Sequence, residues 1–101
     1  TYSYGPSKAA IHHLTRTFAS HLAGRHITAN AIAPGPFPSK MTAGIAATMG
    51  EEIRKHVPLK RWGEPADMAG TAIFLASKAG AYVSGAVIPV DGGIVASSRT
   101  L

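Results

Sequence analysis

The stretch ITANAIAPGPFPS, residues 27–39, decides the fold. Residues 27–33 form a short, largely apolar run bounded by turn formers, which reads as a buried strand of a parallel sheet. Pro34, Pro36 and Pro38 then forbid regular structure, so the strand must empty into a loop. Upstream, at about 100° per residue, Tyr4, Lys8, Ile11, Thr15, Phe18 and Leu22 fall within an arc of roughly 80°, with Leu14 beside it, so residues 4–22 read as a helix. Ser3 suits its N-cap, Pro6 its first turn, where a missing N–H costs little, and Gly24 its end. Ile11, Phe18 and Leu22 are expected to face the core together with Tyr4 and Lys8, leaving His12, Arg16 and Ser20 to solvent.

Downstream, residues 43–56 suit a short helix or a pair of helices. Residues 65–77 suit a helix opened by Pro65, with Met68, Ala72 and Leu75 as its stripe and Ile73 and Phe74 beside it. Residues 86–90 read as a second strand, ended by the turn Asp91-Gly92-Gly93. Helix, strand, loop, helix, strand is the alternation of an α/β, doubly wound parallel-sheet fold, in which ligands sit beyond the carboxyl ends of the strands. The loop after residue 33 leaves such an end, and a helix antiparallel to that strand begins there. Tyr4 and Lys8 are thereby expected beside the loop.

The 101 residues are 46% hydrophobic and 15% charged, a globular balance with room for one domain at most. Ten Lys and Arg against five Asp and Glu give a formal net charge of +5, which suits an anionic partner such as a phosphorylated cofactor or an acidic carrier. The basic residues are scattered and not interleaved with stacking aromatics, so no nucleic-acid partner is expected. Without cysteine there are no disulfides, thiolate nucleophiles or Cys-based zinc sites, and a reducing, cytoplasmic setting fits. The five histidines, at 12, 13, 21, 26 and 56, lack H-x-x-x-H or H-E-x-x-H spacing, so no metal site is expected. No apolar run approaches the ~18 residues of a membrane span. The opening Thr1-Tyr2-Ser3 and a sheet of just two strands point to a portion of something larger.

The pentapeptide YGPSK, residues 4–8, carries the chemistry. A phenol with a pKa near ~10 is ionised about once per thousand molecules at pH 7, and an ammonium within ~4 to 6 Å favours the phenolate. Spacing i, i+4 on a helix brings the two within reach. Such a pair can donate a proton to a carbonyl oxygen as hydride arrives, or take one from an alcohol. Tyr2 is a rival phenol, but Pro6 stands four residues on. Taken alone, the pentapeptide fits better as a core-edge tyrosine beside a snorkelling lysine.

Context reverses that. YGPSKAA at 4–10, NAIAPGPFPSKM at 30–41, RWGEPADMA at 61–69 and SGAVIPVDGG at 84–93 stand in the order of four motifs of the short-chain dehydrogenase/reductase family, which the chain resembles along its whole length. Within the family it looks most like bacterial 3-oxoacyl-carrier-protein reductases of the rhamnolipid-biosynthesis type. The resemblance implies a Rossmann-like domain and a reductase using NADP, with NAD as the alternative, on a small-molecule or acyl-carrier-linked ketone. Tyr4 would be the general acid/base. Lys8 would lower its pKa and hold the nicotinamide ribose. Pro34 and Gly35 would shape the turn under the nicotinamide, the Phe37 backbone would bind its carboxamide, and Ser39 would stand in for the family's usual Thr. Residues 40–56 would form the substrate lid.

The family's glycine-rich dinucleotide loop, its N-N-A-G segment and the serine preceding the tyrosine do not occur in this chain. Residues 1–101 are therefore expected to be the carboxyl-terminal portion of one such domain, without its amino-terminal cofactor-binding half and inactive alone. A homo-oligomer, tetramer or dimer, is expected, with contacts through Ala9, His13, Leu14 and Ala19 and through the edge strand at 86–90. The rival reading is a non-catalytic fragment or pseudoenzyme that binds a partner through its apolar and basic surfaces.

Overall fold

The computed structural model describes residues 4–98, and side chains from residue 9 to residue 97. Its elements are α1 (Tyr4–Leu22), a 3-10 turn (Ala23–Arg25), β1 (Ala31–Pro34), α2 (Ala43–His56), α3 (Pro65–Ala76), a second 3-10 turn (Lys78–Gly80), β2 (Val87–Val90) and α4 (Ile94–Ser98). Among the described residues β1 and β2 form one sheet. Ala31 N–H donates to the Ala86 carbonyl and Gly35 N–H to the Val90 carbonyl, each at 2.9 Å, so both strands advance in the same sense. The sheet is parallel, as the α/β reading requires. The expected N-cap, Ser3, lies outside the described residues. The chain divides into two compact units, Thr1–Ile32 with Ala72–Ile88, and Ala33–Thr71 with Pro89–Leu101.

In the first unit, α1 ends at Leu22, before Gly24. The chain continues through the 3-10 turn, and His26, at φ 61°, takes the left-handed position. His26 N–H donates to Ala23 O at 3.0 Å and Ile27 N–H to Leu22 O at 3.3 Å, the paired bonds of a Schellman ending with His26 where glycine is usual. β1 is also shorter than the expected run at 27–33. Before Ala31 one backbone bond remains, Gly85 N–H to Ala29 O at 2.7 Å, and side chains supply the rest: Ala29 N–H donates to Ser84 Oγ at 3.2 Å, Ala86 N–H to Asn30 Oδ1 at 3.0 Å, and Asn30 Nδ2 to Val83 O at 3.0 Å. The backbone is held across from residues 83–86 without forming strand there.

The buried face of α1 is rotated from the expected one. Thr15 is 8% exposed, its hydroxyl bonded to Ile11 O at 2.8 Å, and His12, Ala19 and Leu22 are half-buried. Ile11, Leu14 and Phe18 stand 54%, 48% and 49% exposed, so Ile11 and Phe18 do not form the core face within this chain. Ala19 packs toward Gly85: a Cβ built on Gly85 would lie 3.5 Å from that of Ala19, ordinary van der Waals contact. Ala19 is thus inward rather than on an open flank, and His12 is not on the solvent side. On α3, Met68 and Leu75 are half-buried as expected, but Thr71 takes the place expected for Ala72, which is exposed together with Ile73.

In the second unit the best-buried side chain is Val57, 1% exposed. It packs where the chain turns after β2: a Cβ on Gly92, at φ 66°, would lie 2.5 Å from Val57 Cγ1. Gly93, at φ 99°, needs the same freedom. Asp91 then starts α4, an element the sequence reading did not anticipate, by accepting from Gly93 N–H at 2.9 Å and Val95 N–H at 3.1 Å. α2 has the bounds 43–56 expected for it.

Candidate active site

The loop leaving β1 is stiffened at both ends. Gly35 N–H is bonded to Val90 O, and Gly63 N–H donates to Pro36 O at 2.9 Å. A Cβ on Gly63 would run into the Phe37 ring, so any larger residue there displaces that ring. Thr42, just before α2, closes the loop from the other side. Its hydroxyl donates to Phe37 O at 3.0 Å, lies 3.1 Å from Ser39 Oγ and accepts from Ser39 N–H at 2.9 Å. With Thr42's proton given to Phe37, Ser39 is the donor of the hydroxyl pair, and since its Oγ also accepts from Thr42 N–H at 3.2 Å it keeps one lone pair. Phe37 N–H makes no hydrogen bond among the described residues.

Beside this loop lies a groove of about 520 Å³, lined by Pro36, Phe37, Pro58, Leu59, Arg61, Gly63, Asp67 and residues 89–93. Its wall is largely apolar, with the Asp91 carboxylate and an Arg61–Asp67 pair as fixed polar elements. Arg61 grips Asp67 with two parallel bonds of 2.8 and 3.0 Å, and Asp67 also accepts from Glu64 N–H at 2.7 Å. The sequence explains the arrangement: with Pro65 opening α3, Asp67 reaches back over the first turn to the N-cap backbone, as in a capping box. The Arg61 guanidinium, and secondly the Glu64 N–H, hold the Asp67 carboxyl down to about 2.

Of the residues expected at the site, Phe37 lines the groove and Gly35 and Ser39 belong to the loop after β1, whereas Pro34, expected to begin that loop, is the last residue of β1. Tyr4 and Lys8 lie one turn apart at the amino end of α1, and their side chains lie outside the described ones. The sequence reading gave no site role to Arg61, Gly63, Asp67 or Asp91. Their signals were visible: Arg-x-Gly-x-Pro-x-Asp at 61–67, and Asp-Gly-Gly closing the last strand. Trp62, half-buried, donates its indole N–H to Gly50 O at 3.0 Å.

Residues 1–95 match the protein family described as enoyl-(acyl carrier protein) reductase. The chain is 54% identical over 94 residues to a rhamnolipids biosynthesis 3-oxoacyl-[acyl-carrier-protein] reductase of Pseudomonas aeruginosa, across 91% of this chain and 37% of that one. It is 42% identical over 93 residues to the 3-oxoacyl-[acyl-carrier-protein] reductase FabG of Thermotoga maritima, across 92% and 38%. The solved Pseudomonas aeruginosa RhlG/NADP active-site complex aligns with a TM-score of 0.83 and 54% identity, covering 92% of this chain and 38% of that one. The chain thus spans little more than a third of the length of the curated relatives it matches.

Proposed function

The chain belongs to the short-chain dehydrogenase/reductase family, and on that premise we propose that it forms the carboxyl-terminal part of an NADP(H)-dependent reductase of 3-oxoacyl thioesters. One observation carries the reading: the 54% identity over 94 residues to a protein named for that reaction. Tyr4 is then the general acid, giving its proton to the ketone oxygen, and Lys8, one helical turn on, favours the phenolate left behind. Bound NADPH supplies the hydride. The loop after β1 fits such a cofactor, since the Phe37 N–H has no acceptor among the described residues and Ser39 keeps acceptor capacity. In this reading Lys8 also holds the ribose, Pro34 and Gly35 shape the turn under the nicotinamide, and α2 is the lid that excludes water.

We also propose that the complete protein works in the cytoplasm as a homo-oligomer, a tetramer or dimer of closed symmetry, with β2 at the contact. Val87→Arg would then lower the mass measured by light scattering. No helix among the described residues is long and apolar enough to cross a membrane.

The deciding experiment follows NADPH oxidation by the complete protein with a 3-oxoacyl thioester. Tyr4→Phe is expected to reduce turnover by roughly 10² to 10⁴ while NADPH binding stays nearly unchanged. Retained turnover would remove Tyr4 from its role. No oxidation even by the unaltered protein would favour a partner-binding pseudoenzyme.

A further inference from the structure

The hydrogen bond from Trp62 to Gly50 divides α2 into two unlike halves. From Gly50 onward the helix is tied to the segment that follows it. Arg54 Nη1 donates to Lys60 O at 3.2 Å, Lys60 Nζ to Lys55 O at 2.6 Å, and Val57, at the helix C-cap, is buried. Ile53 and Arg54 are half-buried. Before Gly50, residues 43–49 are exposed at every position, and Thr42 forms no side-chain cap, its hydroxyl being turned to Phe37.

Two uncovered turns do not hold a helix in water, because the cost of nucleation is recovered over roughly 12 to 15 residues. Residues 43–49 are therefore helical because they continue a helix that is held elsewhere. The holding point nearest to them is Gly50. Its carbonyl has two lone pairs, so it can accept from the indole without giving up its place in the helix ladder.

We propose that Trp62 is a positioning residue: its indole N–H latches Gly50, fixes the second half of α2 as a post, and leaves residues 43–49 as the arm that moves when the lid closes. That the arm closes over a ketone substrate rests on the reductase reading. The division of the helix at Gly50 does not.

Hydrogen exchange of the complete protein tests the division without turnover. Amides at 51–57 are expected to exchange slowly and those at 43–49 fast, with the break at Gly50. Trp62→Phe keeps a ring in place and removes the donor, so protection at 51–57 should fall about fivefold to tenfold, the loss of one hydrogen bond, while α3 is unaffected. With the ketone as varied substrate, the same variant should raise KM and leave NADPH affinity unchanged. Uniform exchange along α2 in the unaltered protein overturns the proposal even if Trp62→Phe fails to fold. Unchanged exchange in the variant does the same, as does a loss of NADPH affinity with KM unchanged. If the exchange results hold and no ketone is reduced, the latch stands and the reductase reading falls.

Discussion

A Cβ placed on Gly35 would lie 2.7 Å from the Cβ of Asp91 and 2.8 Å from its Cα, so the turns ending β1 and β2 meet through a glycine. The obstacle is largely backbone, and it cannot swing away as a side-chain tip could. Asp91 starts α4 and lines the groove, so displacing it disturbs both. Gly35→Ala is expected to destabilise the protein by about 1 to 3 kcal/mol, as overpacking does. Gly44→Ala, whose added Cβ meets nothing within 4 Å on α2, should instead be neutral or stabilise by up to about 1 kcal/mol. Equal urea midpoints for the two variants would contradict the close approach.

Asn30 joins two segments by a single amide, accepting from Ala86 N–H and donating to Val83 O. Alanine there leaves a donor and an acceptor unpaired in a half-buried place. The expected cost is about 1 to 3 kcal/mol, seen as a lower midpoint of urea unfolding with an unchanged slope. An unaltered midpoint would mean that water replaces the amide freely.

These residues also mark what the sequence does and does not make legible. The alternation of elements, the bounds of α2 and the proline loop could be read because periodicity and proline act locally. The shortening of β1 could not, since it depends on Ala29 meeting Ser84 and Asn30 meeting Val83 and Ala86 across more than fifty positions of chain. Helical spacing identified α1 but not which of its residues are buried within this chain: Thr15 is buried and Ala19 lies against Gly85, while Phe18 is half-exposed. The loop and Tyr4 with Lys8 came from motif spacing. The Arg61 to Asp67 pair was not legible from the 61–69 motif, although the first-turn acid after Pro65 is a capping signal.

That pair sets an acid limit. The folded-state pKa of Asp67 is lowered to about 2 from an ordinary value of 3.8. A lowered carboxyl pKa stabilises the fold above the unfolded value, and the contribution fades as pH falls from about 4 through about 2. Both partners are partly exposed, so salt should weaken the effect. Asp67→Asn is expected to flatten the pH dependence of the urea midpoint in that window and change it little in slope above pH 5. An undiminished slope between pH 4 and 2 would assign the acid sensitivity to another group.

Ile11, Leu14 and Phe18 lie on one flank of α1, spaced as neighbours on a helix surface and each about half exposed. A cluster of large apolar side chains marks a surface that is covered in the working protein. Under the proposed reading the cover is the rest of the same domain, in particular further strands beside β1, which has one partner among the described residues. Phe18→Ala in the complete protein should then cost about 3 to 5 kcal/mol, the loss of a fully buried aromatic. Its unfolding midpoint should not depend on protein concentration. Cover by a second copy would give the opposite signature, a midpoint rising with concentration and a lower mass in light scattering. A cost below about 1 kcal/mol, in the range of an ordinary surface change, would leave the flank in water, and with it no reason to place further strands beside β1.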